Sequence, residues 1–524
     1  MMSALLLLWA GLLLLSIPAL VIAGIVTLIM KDEKRLLAFD VVLGISTFMI
    51  ALFIVGSFVP PDAMPKPKNK GAAQAAKEPS SEYNVTLLEE EYLDRADERW
   101  KSWFKFVSKT DYKTVLKEAE DDLLKQVEQN PKSVVLASEL GLVFAAEKKN
   151  PEDAFKSFHE SLKSKAKKSS GSGDEISIPD FTPAAETLLV NPQRDATSIY
   201  NYDKLTRILP KRGWYEEQVN SKVNELRGGR DLADFRAKQD KAANLFIFKC
   251  EAICIAYAVL CAIGVPWLIY LLKPIDLPPM IPITTSFRRM YVCLLSILFG
   301  QCLSGFVLGI VFAIYLAMNH ITGGLAPYNV MVTIISSVIG IATFALSYYF
   351  AIAKPLSFGF FKAYNFAAQK LTRMQTFLYC LGGFGVAVLG SQTAYVISRH
   401  LFNIGTATTT GQKDLAAAIF DGNFLIIVLY TFFSSVIAPV SEELLLRGLF
   451  YSWLRTRFNI LVSALISSSV FAIFHFNPNG FLYYLSLGCI LCLVYERTRN
   501  LWICVVIHAL WNTLVIAVMW CGSP

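Results

Sequence analysis

Three short clusters late in this chain hold residue types at spacings that suit chemistry. The first is Pro439-Val440-Ser441-Glu442-Glu443-Leu444-Leu445-Leu446-Arg447, where two adjacent carboxylates follow the uncharged run 422–441. Glu443 and Arg447 are four residues apart, in the favourable order for a helical ion pair. Glu442, one residue away, points about 100° round the helix. The pattern therefore predicts one structural carboxylate and one free for chemistry. Pro439 and Ser441 read as a helix start, with both carboxylates in a first turn where the helix dipole favours negative charge. The second cluster is Phe471-Ala472-Ile473-Phe474-His475, and the third is His508-Ala509-Leu510-Trp511-Asn512. His508 and Asn512 share one helix face, and both can donate hydrogen bonds. Taken singly, each cluster also has a bland reading: capping charges at an interface, a hydrogen-bonded structural histidine, and polar packing between membrane helices.

Taken together they weigh more. The chain has five histidines, and two of them fall in these clusters. Ionisable groups inside apolar helices are costly and usually face a bundle interior or a wet cavity. A glutamate can take a proton from water, a histidine can help position that water, and a histidine with an asparagine can donate to a developing oxyanion. The same Glu442, His475 and His508 set also suits a metal such as zinc.

In order and content the clusters resemble the CAAX prenyl endopeptidase family, also called the CAAX protease and bacteriocin-processing or Abi family. The matching motifs are Glu442-Glu443-x-x-x-Arg447, Phe471-x-x-x-His475 and His508-x-x-x-Asn512. The resemblance spans roughly 424–520, about a fifth of the chain, and shows no departure at the motif positions. It implies an intramembrane endopeptidase with Glu442 as base, His475 assisting, and His508 and Asn512 as oxyanion donors. Glu443, Arg447 and Phe471 are then structural support. The resemblance leaves metal dependence open, with Glu442, His475 and His508 as ligands if a metal takes part. It also leaves open whether the substrate is a prenylated protein or a small peptide. The rival readings are a catalytically silent scaffold or immunity-type protein keeping the same fold, and a transporter. A transporter leads one to expect internal repeats of spans, and none is visible.

The elements that must position these residues are membrane helices. The chain has 524 residues, 54% hydrophobic and 17% charged, with a mean hydropathy of +0.45. A soluble chain is usually about a quarter charged. Uncharged runs recur at 1–30, 41–59, 252–272, 290–318, 328–353, 374–398, 422–441, 458–474 and 509–524, with a shorter one at 480–495. A bilayer core needs roughly 20 apolar residues of helix. The expectation is an all-α, polytopic bundle of about ten spans with a helical soluble insert. Residues 1–30 lack a basic start and far exceed a signal-peptide core, so they read as a retained helix.

Three segments follow: two spans in 1–60, a polar insert over 61–245, and a membrane-embedded core over 246–524. The insert opens with a linker rich in Pro, Lys and Ala, and has a Ser/Gly loop near 168–178. Its segment 131–162 resembles a single tetratricopeptide unit, though an ordinary helical hairpin fits as well. The insert offers no paired catalytic groups, so a protein partner or substrate recruitment is its expected role. Lysine and arginine concentrate in 31–35, 273–289, 354–373, 447–457 and 496–499, which all fall on one side if the spans alternate. The loops 319–327 and 477–479 carry neither residue, and 399–421 carries only Arg399 and Lys413. That asymmetry makes the basic side cytoplasmic, places the insert outside, and suggests the plasma (inner) membrane. The net charge of +7 reflects those loops, and no basic patch interleaved with aromatics points to nucleic acid. All ten cysteines lie at or beyond Cys250, mostly in apolar runs, which excludes a disulfide scaffold for the insert. Cys489 and Cys492 form a C-x-x-C inside an apolar helix with no second pair nearby, a poor zinc signature.

Overall fold

In the computed structural model of the chain, the described residues are 81–94, 112–129, 134–150, 213–273, 285–318, 326–349, 371–401 and 423–521 except 476, with a few isolated positions between them. The expected spans in 1–60, the linker and the Ser/Gly loop lie outside them. Among the described residues every regular element is a helix. The chain divides into two compact units, one built on Ala75–Cys254 and the other on Ile255–Ala517.

The first unit contains α1 (Ser81–Leu93), α2 (Tyr112–Gln129), α3 (Val134–Ala146) and α4 (Trp214–Arg227). Helix α2 is charged on one side and buries Val115, Leu116, Ala119, Leu123 and Val127 on the other, a spacing of three and four residues. These pack with Leu140 and Val143 of α3 and with Trp214 and Val219 of α4. Tyr92 donates to Glu217 at 2.6 Å, tying α1 to α4. Glu139 of α3 is fully buried in this core, and neither carboxyl oxygen has a hydrogen-bond partner. Of the tetratricopeptide-like hairpin, α3 is described, and most of the second helix lies outside the described residues.

A single helix, α5 (Gly229–Leu272), begins charged and ends apolar. The membrane unit continues with α6 (Phe287–Met318), α7 (Ala326–Tyr348), α8 (Arg373–Leu401), α9 (Phe424–Leu454), α10 (Ile460–Phe474), α11 (Phe481–Thr498) and α12 (Leu501–Cys521). Six helices among the described residues are long and apolar enough to cross a bilayer. Helix α10, at 15 residues, is shorter than a full crossing. Large apolar side chains such as Ile255, Val259, Ile269, Phe424, Phe432 and Leu461 stand exposed on the helices, as lipid-facing residues must.

Small residues bring helix backbones together within the membrane unit. A Cβ added to Gly264 of α5 would stand 2.5 Å from the Gly385 carbonyl oxygen of α8. A Cβ added to Gly488 of α11 would stand 2.7 Å from Ser468 Cβ of α10. Close approach of this kind drives association where lipid supplies no hydrophobic force. At the other end of α9 and α11, Glu496 accepts from Tyr451 at 2.8 Å, Arg455 at 3.1 and 3.2 Å, and Arg499 at 2.9 Å. Arg497 Nε donates to the Leu271 carbonyl at 2.6 Å, satisfying an orphan carbonyl at the end of α5. Arg447, at the start of the basic segment 447–457, is fully buried within α9.

Candidate active site

The carboxylate cluster sits inside a long helix and not at a helix start. Helix α9 is capped by Asn423, whose side chain accepts from the Ile426 amide, and then runs unbroken to Leu454. Pro439 is absorbed because the turns around it widen: Phe433–Ile437 and Leu444–Tyr451 are π-helical, flanking the α-helical segment Ala438–Glu443. Proline lacks an N–H, so a changed hydrogen-bond register costs little there. Ser441 does not cap; its hydroxyl donates to the Ala438 carbonyl at 2.9 Å. The helix-start expectation therefore fails, and with it the favourable dipole at Glu442 and Glu443. What supports the carboxylates instead is direct pairing.

Glu443 Oε1 accepts from Arg447 Nη1 at 2.9 Å, and both side chains are within 1% of complete burial. The same oxygen accepts from His508 Nδ1 at 2.8 Å. Arg447 Nη2 donates to the Gly488 carbonyl at 3.1 Å, and its guanidinium lies 4.9 Å from the centre of the Phe471 ring. Phe471 thus lies against the guanidinium and packs T-shaped on the His475 and His508 rings, with centres 4.6 and 5.6 Å away. Its bulk fills the space between the three motifs.

Glu442 is the more open carboxylate, with 27% of its side chain accessible. Its Oε2 is buried and has no hydrogen-bond partner, and it stands 3.8 Å from His508 Nε2. That is too long for a direct hydrogen bond. An orphaned carboxylate oxygen beside an imidazole nitrogen is a place where a water or a substrate group fits.

The tautomers follow from the acceptors. His475 Nδ1 faces the Phe471 carbonyl at 2.8 Å, and a carbonyl only accepts, so Nδ1 carries the proton. His508 Nδ1 faces a carboxylate paired with arginine, so it also carries one. Each imidazole therefore keeps Nε2 for the site. Asn512 Nδ2 donates to the Ser434 carbonyl at 2.8 Å. That carbonyl lies in the first π-helical segment of α9, where a widened turn frees it. The helix face shared by His508 and Asn512 thus meets α9 at two levels.

Sequence reasoning missed three partners. Gly488 offers its carbonyl to Arg447, Tyr484 stacks on His475 with ring centres 4.0 Å apart, and Glu443 is shared between Arg447 and His508. As to a metal, no three His, Cys, Asp or Glu side chains among the described residues gather closely enough to hold one. Glu442 and His508 approach each other, but His475 does not complete a ligand set with them in this arrangement.

Residues 424–514 match the family described as "Type II CAAX prenyl endopeptidase Rce1-like". The "Putative membrane peptidase YdiL" of Bacillus subtilis (strain 168) is 29% identical over 141 residues, which are 26% of this chain and 54% of that protein. The "UPF0177 protein YaiF" of Lactococcus lactis subsp. lactis (strain IL1403) is 30% identical over 125 residues, 23% of this chain and 53% of that protein. The chain thus spans about half the length of the curated relatives it matches. No solved structure matches it at a significant level.

Proposed function

We propose, from the Rce1-like CAAX prenyl endopeptidase domain at residues 424–514, that the chain is an intramembrane endopeptidase acting on membrane-associated proteins or peptides. The observation that carries the reading is the orphaned Glu442 Oε2, 3.8 Å from a histidine nitrogen whose ring is already oriented from its other side.

The chemistry runs on this chain's own groups. Glu442 takes a proton from a water held against His475 Nε2, and the hydroxide adds to the scissile carbonyl carbon. The carbonyl oxygen becomes an anion. His508 already spends its Nδ1 proton on Glu443, so its Nε2 donates to that anion once the ring holds a second proton. The water's proton reaches it from Glu442. Collapse of the intermediate breaks the C–N bond, and the same proton leaves on the amine. Asn512, bonded to Ser434, supports the anion site from the next turn. Donors aimed at such an anion are worth roughly 3–4 kcal/mol each.

The side of the membrane follows from the helix ends. Lys273, Arg289, Arg373, Arg455, Arg457 and Arg499 stand at ends that share one side if successive helices alternate. Under the positive-inside rule this supports a cytoplasmic basic side, with the insert proposed to lie outside the plasma (inner) membrane.

Comparison of membrane peptides from cells with the wild-type chain and with Glu442→Gln tests the activity. Fragments that depend on Glu442 are expected. Identical peptide profiles would favour a silent scaffold instead.

A further inference from the structure

We infer that Tyr484 is a positioning residue for His475, a part of the site outside all three motifs. The inference rests on the proposed catalytic role of His475.

His475 caps the C-terminus of α10, its amide bonded to the Ala472 carbonyl at 3.3 Å in a final turn. Its ring is held from three directions. Nδ1 donates to the Phe471 carbonyl, the Phe471 ring meets it edge-on at 4.6 Å, and the Tyr484 ring covers its face at 4.0 Å with planes 20° apart. The first two contacts come from one residue, four positions back on the same helix. Only Tyr484 comes from α11, so among these three contacts it alone ties the imidazole to the opposite wall.

Tyr484 is itself pinned. It is 6% exposed, and the Asn477 side chain lies beside its ring at Gly480. Asn477 Oδ1 in turn accepts from the Gly480 amide at 3.2 Å. Gly480 leaves room for that ring: a Cβ there would stand 2.6 Å from Tyr484 Cε2 and 3.2 Å from Asn477 Nδ2. The turn 477–480 therefore works as a bracket. It aims a flat aromatic face at the imidazole and fixes the direction of Nε2.

The contact that matters is the ring face, so phenylalanine should rescue what leucine loses. The test uses the full chain in detergent micelles and an internally quenched peptide ending in a farnesylated CAAX-type tetrapeptide. Tyr484→Phe is expected to keep most of kcat. Tyr484→Leu is expected to lose about 10²-fold in kcat at unchanged KM, the scale of an ångström-level misplacement of a catalytic group. A second readout needs no turnover. With 15N-labelled histidine, the wild-type His475 ring should show one Nδ1–H tautomer, and Tyr484→Leu should show exchange between tautomers while His508 is unchanged. Gly480→Ala, which pushes on the ring without removing it, should move both readouts the same way and serves if the leucine variant does not accumulate. Undisturbed His475 resonances in Tyr484→Leu, or in Gly480→Ala if that variant stands in, would overturn the inference, as would a phenylalanine variant as slow as leucine. Full activity in His475→Ala would instead overturn the underlying reading of the site.

Discussion

Glu443 Oε1 lies 2.8 Å from His508 Nδ1 and 2.9 Å from Arg447 Nη1, so one buried oxygen joins two of the three motifs. The carboxylate holds the arginine that braces Phe471 and Gly488, and it orients the histidine that faces Glu442. Adjacent glutamates on one helix thereby take different duties. One is enclosed and paired, and the other is left with an open oxygen.

That sharing separates stability from activity. Glu443→Ala and Arg447→Ala each strand a buried charge, which costs roughly 3–5 kcal/mol. Both should accumulate poorly and melt early in detergent. Glu443→Gln keeps the shape and one acceptor but loses the charge, so a folded fraction should remain. In that fraction kcat should fall by roughly 10²–10⁴-fold, the range seen when an orienting carboxylate is neutralised beside a catalytic histidine. Wild-type melting in both alanine variants would count against this pairing.

The pair was legible in the sequence because a spacing of four on one helix suffices to specify it. Its third member was not. His508 lies 65 residues further along, and nothing local says which of two adjacent carboxylates it meets. The apolar runs gave the helical class directly, since uncharged segments of that length leave few alternatives. Pro439 misled, because proline signals a helix boundary in isolation, while the π-helical turns that absorb it depend on packing. Tyr484 was invisible for a similar reason. It follows His475 by nine residues across a turn, a spacing with no fixed geometry.

The insert should weaken as pH rises. Burial without a partner pushes the Glu139 carboxyl up to about 8 from its ordinary 4.5. The folded chain then binds this proton more tightly than the unfolded chain does. The contribution is fully present below about 4.5 and is lost as pH climbs through about 8. Hydrogen exchange of α3 in the full chain should quicken between pH 6 and pH 9, on top of the intrinsic rise. Glu139→Gln should remove its share of the excess, leaving that of Glu89, which burial also pushes up to about 8. Equal pH slopes in wild type and variant would show that Glu139 finds a partner in solution.

A cysteine placed at Ser170 reports the side of the insert. With the basic helix ends cytoplasmic, an impermeant thiol reagent should label it in intact cells. Labelling only after lysis would invert the topology and place the insert with the arginines.

The insert should be dispensable for chemistry. The contacts described at Glu442, His475 and His508 are all made by residues of Ile255–Ala517, and Ala75–Cys254 forms a compact unit of its own. Replacing 66–240 with a short linker should leave cleavage of a small peptide intact while changing which membrane proteins are cut. Complete loss of peptide cleavage in a well-folded deletion would give the insert a part in catalysis.

The catalytic centre itself gives the sharpest outcomes. Glu442→Gln preserves shape and removes the base, so turnover should vanish with little change in melting. His475→Ala should remove the group that holds the attacking water, and His508→Ala the one that meets the anion. Each is expected to cost at least about 10²-fold. Asn512→Ala should cost less, because its amide is already engaged with Ser434 and acts from one turn away. Metal dependence is decided separately. With Glu442 as the base and His475 holding the water, activity is expected to survive strong chelation. Stoichiometric zinc that leaves together with activity and restores it on return would move Glu442, His475 and His508 to ligand roles. In that case the Nδ1 bonds to Phe471 and Glu443 would keep their meaning, since a metal-bound imidazole also uses its second nitrogen to fix the ring. Full activity in Glu442→Gln would contradict the water-activating and the metal-bound readings alike, and would leave a silent scaffold as the better account of this fold.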